Sequence, residues 1–198
     1  MGNEKSTERP AEDQFIGSTT EEGIFHGQGI LRYAASDERK HYTGEWNQGK
    51  REGNGILEWE NGAIYRGRWS NDQLEGAGFY LLPGNISYEG EFHHNCFHGS
   101  GVCSWLKDGR KYEGNWANNK PHGFGRLSFS PFDEQQRAYY KGEWSENQRH
   151  GYGIMKWNSG ATYEGNWVNG KRHGQGKYTF SNGDVSFLII FWSLKKYN

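Results

Sequence analysis

Aromatic and glycine residues recur along this chain with a regular spacing. The pattern Tyr-x-Gly-x-Trp, with Phe92 once in place of tryptophan, begins at Tyr42, Tyr65, Tyr88, Tyr112, Tyr140 and Tyr163. A Gly-x-Gly pair begins eleven positions after each of these tyrosines, and a degenerate first copy runs from Phe15 to Gly29. A fixed period of this length is typical of a repeat architecture, in which each copy packs against its neighbours.

Within each copy, apolar and polar positions alternate in a way that predicts two strands. The tyrosine, the glycine and the second aromatic residue stand at every other position, so they share one face of the first strand. The positions between them are polar. On the second strand, an apolar pair follows the second glycine on the same face: Leu57/Trp59, Tyr80/Leu82, Cys103/Trp105, Leu127/Phe129, Met155/Trp157 and Tyr178/Phe180. We therefore expect one aromatic face and one solvated face.

Turn signals separate these strands. Pairs such as Asn61-Gly62 and Asn182-Gly183 predict tight turns between copies, and stretches such as Asn47–Glu52 predict longer turns within copies. Because both connections are short, consecutive strands must be antiparallel neighbours. The predicted fold class is all-β: an elongated single-layer antiparallel meander of about fourteen strands, whose core is formed by rings lying on glycines.

The chain is expected to have three segments. Residues 1–14 are predicted to be a flexible tail, residues 15–185 an array of about seven copies, and residues 186–198 a non-repeat hydrophobic tail or cap. The uncharged run Phe187–Trp192 favours β-structure. It is expected to continue the sheet as an edge strand or to fold over the aromatic face, and an exposed edge there would favour self-association. Residues Ala34–Lys40 and Ser130–Ala138 lengthen two joins between copies, as surface insertions or partner contacts.

These residues resemble the MORN repeat family (membrane occupation and recognition nexus). The family pattern, Tyr-x-Gly-x-Trp followed by a turn and His-Gly-x-Gly, is matched six times between Tyr42 and Val185. The resemblance implies a twisted sheet with a groove, acting as a non-catalytic scaffold or adaptor that binds a protein. A short chain made only of repeats is similar to the ciliary, radial-spoke-associated and cytoskeletal members. It is therefore expected in the cytoplasm, a cilium or flagellum with its axoneme, or the cytoskeleton.

Composition narrows the class of partner and compartment. A net charge of −1 argues against nucleic acid, and it gives little attraction to anionic lipid. Two cysteines are too few for a disulfide scaffold, which indicates a reducing compartment. No signal-peptide pattern opens the chain, and its only apolar run is far shorter than the ~20 residues of a membrane helix. Met1–Ser6 fits the myristoylation pattern with Gly2 as acceptor, or matches it by chance within a tail.

Three sets of residues are candidates for chemical sites. The histidines that share one repeat position could form a metal ladder, but successive copies would be about 9.6 Å apart, so a packing role is favoured: His98, His122, His150 and His173. The Gly-x-Gly pairs extend to no phosphate-binding motif. Cys96 and Cys103 fit a buried structural thiol better than a redox pair. We expect neither a metal nor a cofactor, and no enzyme activity.

The aromatic face is the predicted partner-binding surface, because a single-layer sheet would leave it partly exposed. An extended or helical segment of a partner protein would lie along its central rings, which are Tyr65, Trp69, Tyr88, Phe92, Tyr112, Trp116, Tyr140 and Trp144. Tyr→Phe changes there, and charge reversals at edge residues such as Glu91, are expected to weaken binding with little loss of stability. Charge reversals at Glu45 or Glu164, far from the centre, should weaken binding less. The alternative is a peripheral membrane module that recognises anionic phospholipid through basic turn residues, namely Lys50, Arg51, Arg149, Lys171 and Arg172, in a row interrupted by Asp72 and Glu75.

Overall fold

The computed structural model describes residues 9–190 of the chain. Those residues form fifteen β-strands and contain no helix. Contacts divide the chain into two compact units, one ending at Asn95 and the other beginning at Cys96. In this part of the chain no helix has the length and apolar character needed to cross a membrane.

The first unit is a seven-stranded antiparallel sheet in which neighbouring strands follow one another in the chain. Facing glycines mark the middle of the hairpins, as where Gly44 pairs with Gly55 and Gly67 with Gly78. The strands are β1 (Gln14–Thr19), β2 (Phe25–Arg32), β3 (Arg39–Asn47), β4 (Lys50–Trp59), β5 (Ile64–Ser70), β6 (Gln73–Leu82) and β7 (Ile86–His93).

The second unit is an eight-stranded antiparallel sheet with the same sequential order. Its strands are β8 (Cys96–Trp105), β9 (Arg110–Ala117), β10 (Lys120–Ser128), β11 (Arg137–Ser145), β12 (Gln148–Trp157), β13 (Thr162–Val168), β14 (Lys171–Thr179) and β15 (Val185–Ile190). The predicted fold class, an all-β antiparallel meander of tandem hairpins, is confirmed. Residues 185–190 extend the sheet as a strand paired with β14, the first of the two placements expected for this segment.

The sequence predicted tight turns between copies and longer turns within copies, and the structure has the reverse. In the six copies after the degenerate first one, the turn within the copy contains only two residues, and both have positive φ, as at Asn118 (49°) and Asn119 (64°). This geometry matches the twist of the flanking strands and suits asparagine and glycine. The connections between copies are longer, for example residues 60–63 between β4 and β5. The prediction was wrong because the residues assigned to a long inner turn continue the strands.

A β-bulge in the second strand of the hairpin contains some of the residues that the sequence had assigned to a longer inner turn. At Gly142 and Glu143 the register between β11 and β12 shifts, and Gly151 takes a positive φ of 54°. The Glu143 carboxylate accepts a hydrogen bond from the backbone amide of Tyr152 at 2.8 Å. Glu45 accepts one from the amide of Asn54 at the same distance. Glu45 therefore stabilises a bulge, and its effect on partner binding stays a prediction.

Both long connections are ordered by hydrogen bonds to the next connection in their own unit. The Glu60 amide donates to the Glu38 carbonyl at 2.9 Å, and the Asn158 amide donates to the Gln136 carbonyl at 2.8 Å. Arg9, in the predicted flexible tail, donates to carbonyls of the first loop, including those of Asp37 at 3.0 Å and Arg39 at 2.7 Å. The tail is therefore attached to the sheet from Arg9 onward. Gly2 and residues 191–198 lie outside the described part of the chain.

Candidate partner-binding face

Tyrosine and tryptophan rings form a zigzag on one side of each unit, here called the ring face. In the second unit, the Tyr112 ring meets Trp116 of its own repeat and Trp144 of the next edge to face, with centroids 5.0 and 5.4 Å apart. In the first unit, Tyr65 meets Trp69 at 5.3 Å and Phe92 at 5.0 Å in the same geometry. Edge-to-face contacts align the positive ring edge with the negative ring face, so each ring fixes its neighbours.

Glycines form the floor on which the tyrosine rings lie. A Cβ atom at Gly78 would stand 2.6 Å from the Tyr65 hydroxyl oxygen and 2.7 Å from the ring carbon Cε2. The hydroxyl group donates a hydrogen bond to the Arg68 carbonyl at 2.8 Å. The role predicted for the glycines, to make room for rings across the strands, is therefore seen in the structure.

The central rings are buried, although the sequence had led us to expect an exposed strip. The tyrosines at 65, 88, 112 and 140 are 0% exposed, and the most exposed of the other four candidate residues, Trp144, is only 7% exposed. Rings from successive repeats cover one another, so the sheet closes this layer without a second sheet. That expectation of exposure was wrong, and whether these residues bind a partner remains a prediction.

The apolar side chains still accessible on the ring face lie at the ends of the second strands of the repeats or directly after them. They are only half-buried and form what is here called the rim, namely Trp59 and Leu82 in the first unit, and Trp105, Phe129 and Trp157 in the second. The sequence pattern had placed these residues in a column beside the rings. It had not shown that the rim, and not the ring layer, meets the solvent.

Arginines at the start of second strands stack on the tryptophans. The Arg51 guanidinium lies 4.1 Å from the Trp69 ring centroid, and its Nε atom lies 2.8 Å from the Asp72 carboxylate. In the second unit, Arg149 lies 4.6 Å from the Trp167 ring centroid. Such cation–π contacts hold a charge beside the ring face. Asp72, which interrupts the basic row in the sequence, is thus bonded directly to Arg51.

Other ionisable groups of the first unit are also paired. Glu75 accepts a hydrogen bond from His93 at 2.9 Å, and this bond lowers the pKa of the Glu75 carboxyl group. His41 lies 3.5 Å from Glu58. Glu75, which interrupts the basic row in the sequence, is therefore bonded to a histidine outside that row.

The cysteines and histidines show no geometry of a reactive centre. Cys96 and Cys103 form no disulfide, and burial raises the pKa of the Cys103 thiol to about 12. A thiol with so high a pKa carries almost no thiolate at neutral pH, which is the nucleophilic form. Within residues 9–190, no group of three or more His, Cys, Asp or Glu side chains is placed to hold a metal ion.

The opposite side of the second unit, here called the outer face, is less polar than the sequence suggested. Phe124 and Tyr152 are 53% and 50% exposed, and Phe187 and Ile189 on β15 are 81% and 65% exposed. The polar positions that indicated a solvated face all belonged to first strands. Aromatic residues between the paired glycines of the second strands, such as Phe124, were the signal that this reasoning missed.

The model of the MORN repeat matches this chain seven times, over most of its length. The matched residues are 21–38, 42–64, 65–85, 88–109, 112–133, 140–162 and 163–185. The chain therefore belongs to the MORN repeat family. This is a family of non-enzymatic repeat modules that serve generally as scaffolds for protein or membrane binding.

The fold also resembles a solved structure from Drosophila melanogaster, the TCP domain of SAS-4 (dCPAP) in complex with a proline-rich motif of Ana2 (dSTIL). The two share 12% identity over 94% of this chain and 97% of the other, with a TM-score of 0.48. A similarity of this degree carries no conclusion about function. No curated protein matches the sequence significantly.

Proposed function

We propose that this protein is a non-catalytic scaffold that binds a segment of a partner protein along the ring face. The single observation that supports this most is the rim, a set of half-buried and mostly aromatic side chains beside a buried ring layer. Aromatic side chains are frequent anchors of protein interfaces. A surface that is already rigid loses little conformational entropy when a partner binds, so binding is favoured.

The eight central rings have an indirect part in this proposal. Tyr65, Trp69 and the equivalent residues of the following repeats form the base that holds the rim in place. The contact with the partner is made by residues such as Trp105, Phe129 and Trp157, which solvent reaches. An extended or helical segment lying along the rim would cover their exposed ring atoms.

Recognition of anionic phospholipid is the competing function. In the first unit, Asp72 pairs with Arg51, one of the two residues of the basic row there. The pairing reduces attraction to a negatively charged surface, which increases with the number of basic residues near it. Sedimentation with phosphatidylserine vesicles at physiological salt separates the two functions. Salt-sensitive binding to those vesicles would favour the membrane module.

We further propose a cytoplasmic location with association to a cilium, a flagellum or the cytoskeleton. This part rests on the resemblance of the sequence to the ciliary, radial-spoke-associated and cytoskeletal MORN proteins. Imaging of a fluorescently tagged chain in ciliated cells tests it, with an axonemal marker for comparison. A signal spread evenly through the cytoplasm in both ciliated and dividing cells would contradict it.

The partner-binding proposal is tested by affinity purification with a matched pair of variants in the second unit. Trp105→Ser alters the rim, and Phe124→Ser alters the outer face. Both variants are first compared with the unchanged chain by circular dichroism, to verify that the sheet remains folded. We expect Trp105→Ser to lose partners that Phe124→Ser retains. The opposite result would place the binding surface on the outer face and overturn the proposal.

A further inference from the structure

A pocket of about 320 Å³ on the second unit is lined by positive charges and tryptophans. Among the described residues that line it, none is acidic and four are basic, namely Arg137, Arg149, Lys171 and Arg172. Its apolar lining consists of Met155, Trp157, Trp167 and Ile190. The pocket lies beside the rim, since Trp157 belongs to both.

The equivalent position in the first unit explains why this charge is distinctive. Arg51 and Arg149 stand at the same place in their repeats, and each stacks on the tryptophan of the next repeat. Arg51 bonds to the carboxylate of Asp72, whereas Arg149 bonds to the neutral backbone carbonyl of Gly170 at 2.6 Å. The turn residue that neutralises the arginine in the first unit is thus absent from the second.

The surroundings of Arg149 intensify its unbalanced charge. Burial lowers the pKa of its guanidinium, and the positive charges of Arg137 and Arg172 lower it further, with only Tyr140 acting in the opposite direction. Arginine nevertheless remains protonated in proteins. A negative group entering the pocket would relieve this repulsion. Among neighbouring acids, Asp133 is bonded to Arg137 from the long connection and does not line the pocket.

The shape and lining of the pocket favour a carboxylate on a peptide. A guanidinium presents parallel donors that match the two oxygens of a carboxylate, and such charged hydrogen bonds are stronger than neutral ones. The indole of Trp157 beside it suits an apolar neighbour of that carboxylate. A bilayer surface would meet projecting side chains more readily than a recess walled by Trp157 and Trp167.

We propose that this pocket, here called the cationic pocket, binds an aspartate or glutamate side chain of the partner segment, with an adjacent apolar residue against Trp157. The inference rests on the proposed function, because it specifies the chemistry of the segment that lies along the ring face. It assigns Arg149 as the residue that distinguishes acidic from neutral segments.

An array of short immobilised peptides tests the proposal with the full chain. The peptides alternate leucine with glutamate or aspartate, and each has a matched version with glutamine or asparagine instead. We expect acidic peptides to bind at least about tenfold more tightly than their amides, the scale of a charged hydrogen bond. Binding is then measured in solution by tryptophan fluorescence, since two tryptophans line the pocket.

Two variants form the matched control. Arg149→Gln is expected to lose about tenfold in affinity for the acidic peptides, whereas Arg51→Gln should stay within about twofold of the unchanged chain. Equal binding of acidic and amide peptides would overturn the proposal, and so would an equal loss in both variants. Binding to phosphatidylserine vesicles that requires Arg149, without peptide binding, would assign the pocket to a membrane instead.

These outcomes can be separated from failure of the proposed function. If a purified partner depends on Trp105 but binds the Arg149→Gln variant unchanged, the scaffold function holds and the acidic specificity is wrong. If partner binding is independent of both residues, the ring face itself is the wrong surface.

Discussion

The hydroxyl group of Tyr112 donates a hydrogen bond to the backbone carbonyl of Asn115 at 2.9 Å, while the whole residue is closed to solvent. Tyr88 makes the same bond to the carbonyl of Glu91 at 2.9 Å. Each tyrosine thus fixes the backbone of its own strand three residues further on. These hydroxyls are occupied within the sheet, so they are not available to a partner.

Replacing Tyr112 with phenylalanine should lower stability. The change removes a buried hydrogen bond and leaves the Asn115 carbonyl without that donor, which costs about 0.5–1.5 kcal/mol. The free energy of unfolding, measured with urea, checks this value. Tyr152→Phe is the control, because its hydroxyl bonds to Glu164 at the exposed outer face, and it should change stability by less than about 0.5 kcal/mol. Unchanged stability with weaker partner binding in Tyr112→Phe would restore the sequence-based expectation.

Two tryptophans at the same repeat position should respond differently to phenylalanine. The Trp144 indole donates to the Gly125 carbonyl at 3.2 Å, whereas the buried indole nitrogen of Trp69 has no hydrogen-bond partner within residues 9–190. Phe92 shows that a phenylalanine fits this column. We expect Trp144→Phe to be about 1 kcal/mol more destabilising than Trp69→Phe. Equal losses in the free energy of unfolding, measured with urea, would show that the hydrogen bond from Trp144 to Gly125 contributes nothing to stability.

Adding a methyl group at Gly78 should disrupt the ring layer. The new Cβ atom would overlap the Tyr65 ring, so Gly78→Ala must displace a buried side chain, at a cost of about 3 kcal/mol. Gly84→Ala is the control: its Cβ would meet nothing within 4 Å, and its φ of 68° costs about 1–2 kcal/mol. Thermal unfolding by circular dichroism compares the two. A smaller loss of stability in Gly78→Ala than in Gly84→Ala would contradict the packing of the Tyr65 ring on Gly78.

Removing the Glu143 carboxylate should loosen the bulge between β11 and β12. In Glu143→Ala the Tyr152 amide loses its acceptor, which costs about 1 kcal/mol, as for the loss of a similar side-chain cap. Glu113→Ala on β9 is the control and should lie within about 0.5 kcal/mol of the unchanged chain. Hydrogen exchange of the Tyr152 amide gives a local reading. Protection there equal to that of the unchanged chain would contradict the role of Glu143.

Asp37 should make stability sensitive to acid. Its hydrogen bonds with Arg39 lower the pKa of the carboxyl group from 3.8 to about 2. Because the folded pKa lies below the unfolded one, this stability is present above pH 3.8 and is lost as the pH falls towards 2. Asp37→Asn should therefore cost about 1–2 kcal/mol at neutral pH and progressively less below pH 3.8. Urea unfolding at several pH values measures the difference, and a difference constant with pH would refute this.

The sequence was sufficient to predict the hairpin repeat, because alternation along a single strand determines on which face each ring lies. The positions of Tyr112, its glycines and Trp116 follow from alternation alone. Exposure could not be predicted in the same way, because the burial of Tyr112 depends on Trp144 of the next repeat. The turns were misplaced for a related reason: the Gly151 bulge lengthens a strand by residues that read as a loop. The cationic pocket depends on residues brought together from several strands and the long connection.

The edge-to-face zigzag of rings also determines how each unit comes apart. Tyr140 touches the tryptophan of its own repeat and that of the next, so the loss of one repeat removes ring contacts only from its immediate neighbour. Units of this kind gain stability one interface at a time. Opening can therefore advance hairpin by hairpin, while the repeats further inside keep their rings covered. Each unit is therefore expected to unfold repeat by repeat, and not as a single cooperative core.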